Sequence, residues 1–394
     1  MNALPAVLAV LLVVSQSGMA SDLDITVVTS TFENQRDAGE SFAGIAVRVE
    51  RPVKRAVELA VYEASTLFDK LNIQVNVNEL KLDPEKNLLT QLEALPKAGL
   101  AILDLPLHVM EEVAPLTDQL QVPAFNVRHS NNRLRSSLCL EHVFHSIPSD
   151  AMYFDALVQF LIFRGWRKVL VVRGPSERDR EREEALVQSL KKFGANIVDR
   201  RVFTLSHHPD DRDRNRPDFL TGGASYDVVA VIDSQKDYGR YLQYSTRRAR
   251  PVVGDVGLSP RSWHFALERY GAPQLNERYR EYNVDEPLSS QAAPTDAEFA
   301  AWSAVKLLSN SLNSREQWTT LNVEEILSDP TSQVDLYKGT RGSIRQWNHQ
   351  LRQPVLLAAT DAVIAVAPMP KFLHKEHYVD TLGVDKPESE CRLD

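Results

Sequence analysis

The sequence contains very little cysteine, with only Cys139 and Cys391 among 394 residues. Two thiols exclude a disulfide-dense scaffold, a four-cysteine zinc site and cysteine-held iron–sulfur clusters. The sequence also lacks an excess of positive charge, because its 45 Lys and Arg residues are outnumbered by 53 Asp and Glu residues, which gives a net charge of −8. Nucleic-acid binding usually requires a basic face. We therefore expect a protein that does not bind nucleic acid.

Catalytic and cofactor signatures are missing as well. The sequence has no G-x-G-x-x-G, no P-loop and no H-E-x-x-H, which are the usual dinucleotide, nucleotide and zinc-protease patterns. His207-His208 lies among aspartates, but the spacing fits no tetrahedral metal site. No pairing of a nucleophile with a base is visible. We expect no enzyme activity, no metal and no cofactor.

The N-terminus carries the one marked apolar stretch, Leu4–Val14, followed by small residues at Gly18 and Ala20. A bilayer-spanning helix needs roughly 20 apolar residues. The stretch is shorter than that, and its small residues fit a signal-peptidase site. The sequence therefore predicts a signal peptide over residues 1–20, cut near Ala20, and export to the periplasm. No later run of 18 apolar residues exists, so we expect the mature protein not to be membrane-embedded.

Strand-like and helix-like segments alternate twice along the rest of the chain. Asp24–Phe32 and Leu100–Leu105 are apolar, strand-like runs of the first series, and helical periodicity over Pro52–Leu71 separates them. In the second series, Lys168–Val172 and Tyr226–Asp233 are short β-branched runs typical of buried parallel strands. The pattern predicts an α/β protein with two doubly wound parallel-sheet lobes.

Ligands of open parallel sheets bind beyond the carboxyl ends of the strands. Two facing lobes would put two sets of strand ends across one cleft, where we expect a small-molecule solute. The residues at or just after those ends, with one aromatic residue after a predicted loop, are Thr31, Asp104, Asn126, Arg128, His129, Arg173, Asp233, Ser234, Asp255 and Trp263.

Each candidate also has a structural interpretation that stays open at this point. The three aspartates could cap helices, and Arg128 with His129 could lie in a surface loop. Arg173 could pair with the glutamate-rich segment Glu177–Glu184, whose mixed charges at helical spacing predict a solvated helix face. Trp263 could belong to the core rather than stack on a ligand.

The two cysteines predict a disulfide. An even count and an oxidising compartment both favour a Cys139–Cys391 bond, which would fasten the C-terminal tail to the body of the protein. The alternative is a buried thiol at one position and a loose tail cysteine at the other.

The order of elements resembles the type I periplasmic solute-binding proteins of ABC transporters, in the branched-chain amino acid and amide class. Two stretches carry this likeness, Asp296–Trp302 (DAEFAAW) and the segment GSIRQWNHQLRQPVLLA within Gly339–Ala367. Where amino-acid-binding members present small residues and hydroxyls, this chain has Asp104-Leu105-Pro106 and Asn126-Val127-Arg128-His129.

The segment Gln350–Pro354, Phe372-Leu373-His374 and the tail from Asp380 to Cys391 are similar to a subgroup associated with pyrroloquinoline-quinone-dependent alcohol dehydrogenase systems. The resemblance implies a monomeric protein that closes on a small solute, delivers it to an inner-membrane ABC permease and is linked to alcohol oxidation. A periplasmic sensor or an accessory protein of a quinoprotein dehydrogenase is the alternative.

The resemblance also implies hinge crossovers between the lobes, and hence a division of the chain. We expect a signal peptide, an N-terminal lobe, a C-terminal lobe and a tail, at residues 1–20, 21–149 with 258–335, 150–257 with 336–378, and 379–394.

Overall fold

The computed structural model describes residues 21–30, 41–42, 45–46, 51–97, 99–204, 213–236, 238–285, 293–313, 322–391 and 393. The predicted signal peptide and Thr31 lie outside these residues.

The first sheet has five parallel strands in the order β4-β1-β5-β6-β7. β1 is apolar at both odd and even positions because helices cover both faces of the sheet. Leu23, Ile25 and Val27 face one core cluster, whereas Val28 faces the other. The strands are β1 Ser21–Ser30, β4 Ile73–Leu82, β5 Leu100–Leu103, β6 Ala124–Asn126 and β7 Val143–His145, with a separate hairpin of β2 Ser41–Phe42 and β3 Ile45–Ala46.

Helices from both ends of the chain cover this sheet. The predicted helix over Pro52–Leu71 is confirmed as two helices that meet at Ala64, whose backbone leaves the helical region. The helix α1 packs against the late helix α9 through its apolar stripe, which includes Ala56, Val57 and Ala60. The helices of this lobe are α1 Lys54–Glu63, α2 Ser65–Leu71, α3 Leu88–Leu92, α4 Leu107–Gln119, α8 Ala272–Tyr282, α9 Asp296–Asn313 and α10 Val323–Ser328.

The second sheet has four parallel strands in the order β11-β10-β8-β9. Helix α6 begins at a capping box in which Ser176 and Asp179 bond each other's backbone N–H groups, and it ends at the left-handed Gly194. The elements of this lobe are α5 Asp150–Phe163, β8 Lys168–Arg173, α6 Glu177–Phe193, β9 Asn196–Val202, α7 Pro217–Leu220, β10 Val228–Ile232 and β11 Val252–Gly254.

A small antiparallel sheet, β12-β15-β16, lies at the boundary of the two lobes. Its central strand divides its side chains between the two cores, because Leu356 joins the first-lobe cluster and Leu357 joins the second. The remaining strands are β12 Ser259–Arg261, β13 Val334–Asp335, β14 Arg341–Gly342, β15 Val355–Ala358 and β16 Val363–Ala367.

Two large hydrophobic clusters follow this division. The first-lobe cluster runs from Leu23 to Ile147 and resumes at Trp263, and it extends past residue 335 to Ile344, Leu351 and Leu356. The second-lobe cluster runs from Met152 to Val253 and includes Val379 and Leu382 of the tail. The numerical lobe boundaries given above stay a prediction, and the two-sheet α/β fold is confirmed.

Within the described residues, the chain passes from one core cluster to the other at three places, through residues 146–149, 255–258 and 352–354. Gln350 ties the first and third crossings, since its Nε2 donates to the carbonyls of His145 and Ile147 at 3.0 Å each. Gln353 Nε2 donates to Ser146 O at 2.5 Å. Lys338 Nζ lies 2.7 Å from Gln353 Oε1, 2.9 Å from Pro354 O and 3.1 Å from Ser262 O. The first and third crossings therefore share one buried hydrogen-bond network, which Lys338 extends to Ser262.

The predicted Cys139–Cys391 disulfide is present, with the two Cα atoms 5.7 Å apart. It closes a loop across 252 positions of sequence.

Candidate functional site

The carboxyl ends of the first-lobe strands bring Asp104 and Arg128 together. Asp104 follows β5, is 1% exposed, and accepts from Arg128 Nε through Oδ1, which also pairs with Nη2. Its second oxygen accepts from the backbone N–H of Val53 at 3.4 Å. The two predicted residues therefore form an ion pair next to the N-terminus of α1.

Asn126 and His129 build the turn that carries Arg128. Asn126 Oδ1 accepts from the backbone N–H of His129 at 3.0 Å, and its Nδ2 donates to His129 O at 2.8 Å. His129 Nε2 lies 2.7 Å from Leu105 O. Burial, and then the charge of Arg128, lower the pKa of His129 to about 3. The ring is thus neutral, and its Nε2–H donates to that carbonyl.

The second-lobe strand ends bring Asp233, Ser234 and Asp255 together. Asp233 accepts from the backbone N–H groups of Tyr238 at 3.0 Å and Gly239 at 2.7 Å, and burial raises its pKa to about 6. Asp255 Oδ2 accepts from the Asp233 N–H at 2.9 Å. The N–H of Ser234 donates to Asp179 Oδ1 at 2.8 Å. These contacts order the loops that follow β10 and β11.

Arg173, at the end of β8, pairs with the glutamate-rich helix. Its Nε lies 2.6 Å from Glu183 Oε2, and its Nη1 donates to Gly174 O at 2.7 Å. This pairing was one of the two interpretations that the sequence left open.

The segment Glu177–Glu184 corrects a prediction, because it is not a solvated face throughout. Arg178 and Arg182 stand one helical turn apart on α6 and both reach Asp150, at 2.6 and 2.7 Å. The Arg182 side chain is only 12% exposed, whereas Glu177 is 70% exposed. The i,i+4 spacing of Arg178 and Arg182 was visible in the sequence. Their shared partner Asp150 was not, because it lies at the start of a different helix, α5.

Asp150 is the centre of an interlobe network that the sequence did not single out. It is buried at the first position of α5 and also accepts from Ser130 Oγ, of the first lobe, at 2.8 Å. Although burial favours the neutral acid, Arg178 and Arg182 hold the pKa of Asp150 below its ordinary value. Arg182 also pairs with Asp255, because its Nη2 lies 2.5 Å from Asp255 Oδ1.

A second contact joins the lobes beside this network. Arg178 Nη2 donates to Ser130 Oγ at 3.0 Å, and Asn131 Nδ2 donates to Glu181 Oε2 at 2.9 Å. The strand ends of the two lobes therefore meet through the protein's own charged side chains.

A cavity of about 1080 Å³ lies between the lobes beside the network. The first lobe contributes Arg51, the segment from Trp263 to Glu268 and the start of α9, and the second contributes Arg240, Gln243 and Asp255. Arg261 and the turn at Thr360-Asp361, from the boundary sheet, close one side. Of the predicted site residues, Asp255 and Trp263 line this cavity.

Trp263 lines the cavity, although its side chain is almost completely buried in the core. It stacks on Phe299 with the ring centres 4.5 Å apart, and its Nε1 donates to Asn276 Oδ1 at 3.0 Å. Its backbone N–H donates to Asp296 Oδ1 at 2.8 Å. Phe265, two residues later, is 56% exposed at the same wall. The more open aromatic face is therefore that of Phe265, which the sequence did not single out.

Three arginines of the cavity wall are each paired with a carboxylate. Arg51 lies 2.7 Å from Glu298, Arg261 lies 3.4 Å from Asp296, and Arg280 contacts Glu277. Such a wall can accept hydrogen bonds, donate them and contact an apolar surface. These properties suit a small molecule that carries both polar and apolar groups.

The comparisons with known proteins agree with this architecture. Residues 52–242 match the model of the receptor family ligand binding region. A branched-chain amino acid ABC transporter periplasmic ligand-binding protein from Burkholderia xenovorans is 12% identical, with a TM-score of 0.68 over 94% of this chain and 99% of that one. The chain has the fold of the type I periplasmic binding proteins.

Two further structures of this fold hold ligands. The solute-binding protein of an ABC transporter from R. palustris, in complex with benzoate, is 11% identical, with a TM-score of 0.62 over 95% of this chain and 100% of that one. A branched-chain amino acid transporter substrate-binding protein from Streptococcus pneumoniae, in complex with isoleucine, is 12% identical, with a TM-score of 0.59 over 88% and 99%. No curated protein matches the chain by sequence.

The matched family and these structures are binding proteins, which agrees with the expectation of a non-catalytic protein. Among the helices that the structure describes, none has the length and apolar character needed to cross a membrane. The described residues also contain no group of three or more His, Cys, Asp or Glu arranged to hold a metal ion.

Proposed function

We propose that this protein is the solute-binding component of an ABC transporter and captures a small polar solute between its two lobes. The observation that carries the proposal is the cavity of about 1080 Å³, to which both lobes contribute on a two-lobed binding-protein fold. Cavities that bury small molecules commonly lie at such domain interfaces.

Lobe motion about the three crossings is the proposed means of capture. A solute that contacts Asp255 on one lobe and the Trp263–Glu268 wall on the other would favour the closed arrangement. The solute shifts the equilibrium between the open and closed arrangements only by its preferential affinity for the closed one. The permease would then bind the closed form.

The solute's chemistry follows from the wall. A molecule with hydrogen-bonding groups and a flat or apolar portion would meet the paired charges and the exposed ring of Phe265. Benzoate and isoleucine, the ligands of two proteins with this fold, both combine a polar group with an apolar one. The sequence resemblance to alcohol-oxidation systems adds alcohol-derived acids and aldehydes, and a quinone cofactor, as candidates.

The test is native mass spectrometry of the freshly purified protein, followed by thermal-shift measurements with benzoate, isoleucine, short-chain carboxylates, their aldehydes and pyrroloquinoline quinone. A true solute at 100 times its Kd should stabilise the protein by about 2.7 kcal/mol. The variants Asp255→Asn and Arg261→Gln should reduce the shift. Glu184→Gln and Arg180→Gln, matched changes on the exposed side of α6, should leave it intact. Equal loss in all four variants, or in none, contradicts the proposed site.

We also propose a periplasmic location, with the mature chain beginning near Ser21. The binding-protein fold and the apolar N-terminal stretch support it. Intact-mass measurement of the protein from the periplasmic fraction should give the mass of a chain that lacks residues 1–20. A full-length chain confined to the cytoplasm would contradict the proposal.

The link to quinoprotein alcohol oxidation is the most specific part of the proposal and rests on the sequence resemblance. Deletion of the gene should slow growth on an alcohol and leave growth on succinate unchanged. Equal growth on both carbon sources would remove this link without affecting the proposal of solute binding.

A further inference from the structure

The C-terminal tail is held on the second lobe by a dense set of contacts. Val379 and Leu382 belong to the second-lobe core. The N–H of Gly383 donates to Asp155 Oδ2 on α5 at 2.9 Å, and Lys192 Nζ on α6 donates to Gly383 O at 2.9 Å. Since a buried carboxylate and a lysine both bond the backbone at Gly383, the tail is fixed to α5 and α6 at this residue.

The same tail also holds the third crossing. Asp380 Oδ1 accepts from Arg345 Nε and Arg352 Nε, each at 2.9 Å, from the two ends of the segment that leads into the crossing. Trp347 Nε1, within that segment, donates to Val384 O at 3.4 Å. The tail therefore lies beside the hinge and not on a remote surface.

The other end of the tail is bonded to the first lobe. Cys391 is buried and forms the disulfide with Cys139. The neighbours of that cysteine, Leu138 and Leu140, pack against the first-lobe core. The N–H of Leu138 donates to Arg133 O at 2.9 Å. Cys139 thus moves with the first lobe, whereas Gly383 moves with the second.

We propose that the tail is a covalent strap that restricts the motion of the two lobes, acting as a further connection beside the three chain crossings. Eight residue steps separate Gly383 from Cys391, which allows about 28 Å when fully extended. The Lys192–Glu388 pair, at 4.0 Å with Glu388 57% exposed, is too weak to shorten the strap further. A strap of this length permits small hinge movements and resists wide opening.

The test compares three proteins by hydrogen exchange without any solute: the wild type, the double variant Cys139→Ser/Cys391→Ser, and a slack variant. The slack variant carries eight Gly and Ser residues between Glu388 and Ser389, so the disulfide stays but the strap gains up to about 28 Å. The peptides of interest cover residues 143–150, 252–262 and 346–356, where the crossings lie. Peptides from β1 and β10 report global unfolding.

We expect both variants to exchange at least about tenfold faster than the wild type at the crossings, with β1 and β10 unchanged. Small-angle scattering should show a larger radius of gyration for both. The strap proposal is overturned if the slack variant has the same exchange rates at the crossings as the wild type. The disulfide then only attaches the tail to the first lobe and does not restrict lobe motion. The proposal is also overturned if neither variant differs. Should the double variant fail to fold, the slack variant still decides. Because no solute enters the experiment, its outcome is independent of the transport proposal.

Discussion

Two neighbouring regions of the interlobe surface differ in what fills them. At the strand ends, Asp150 collects Arg178, Arg182 and Ser130, and the protein's own side chains occupy the space. Beside it, the cavity bounded by Trp263, Phe265 and Asp255 is open. Both regions are polar, so polarity alone does not mark a binding site. The difference is that polar side chains of the two lobes bond each other in the filled region, as Ser130 does with Asp150, whereas Arg51 at the cavity pairs with Glu298 of its own lobe.

The largest expected effect comes from the filled region. Replacing Asp150 by Ala leaves two largely buried guanidinium groups without their shared carboxylate. Breaking a buried ion pair from one side typically costs about 3–5 kcal/mol. Urea denaturation should show that loss, and the exposed Glu184→Ala on α6 should stay within about 0.5 kcal/mol. Further replacement of Arg178 by Met, with Arg182 kept because it also pairs with Asp255, should restore part of the stability. A small effect of Asp150→Ala would mean that the network is not buried in solution.

A matched pair of aromatic substitutions separates the open wall from the core behind it. Phe299→Ala removes a fully buried ring and should cost about 3–5 kcal/mol. Phe265→Ala removes a ring that is more than half exposed and should cost well under 1 kcal/mol. Chemical denaturation of both variants checks this. Similar losses would show that Phe265 is packed and that the wall is not open.

Lys338 supplies a pH-dependent comparison, because it lies beneath the cavity wall with its amine buried at the crossings. Burial lowers its pKa from 10.5 to about 7, with Asp296 acting in the opposite direction. Between those values the unfolded chain binds the proton and the folded chain does not. Lys338 therefore makes the free energy of unfolding rise as the pH increases from about 7 to 10, by up to roughly 1.4 kcal/mol per pH unit.

The variant Lys338→Met should remove that contribution. The free energy of unfolding, measured in urea at pH 6.5, 8 and 9.5, should gain less with pH in the variant than in the wild type. Parallel pH dependences for the two proteins would contradict the neutral amine.

The smallest effect is expected on the solvent side of α6. Glu177 and Arg180 form an exposed i,i+3 pair, and such pairs typically contribute less than about 1 kcal/mol. The double variant Glu177→Ala/Arg180→Ala should unfold within about 0.5 kcal/mol of the wild type. A loss comparable to that of Asp150→Ala would erase the distinction between the two sides of this helix.

The strands and the main helices were predictable because their apolar periodicity is local. β8 and β10 lie where the hydrophobic pattern placed them, and the disulfide followed from two cysteines and an oxidising compartment. The candidate site was less predictable. Asp104 with Arg128, and Asp233 with Asp255, were identified as strand-end residues, but their contacts with each other were not.

The sequence by itself determined which segments become strands and helices, since each hydrogen-bond pattern and apolar stripe depends on residues a few positions apart. Only the tertiary structure decided that Arg178 and Arg182 turn inward to Asp150, that Lys338 joins the crossings, and that the tail spans both lobes. These contacts join residues 15 to more than 200 positions apart, and their geometry depends on how the two sheets pack rather than on any local pattern.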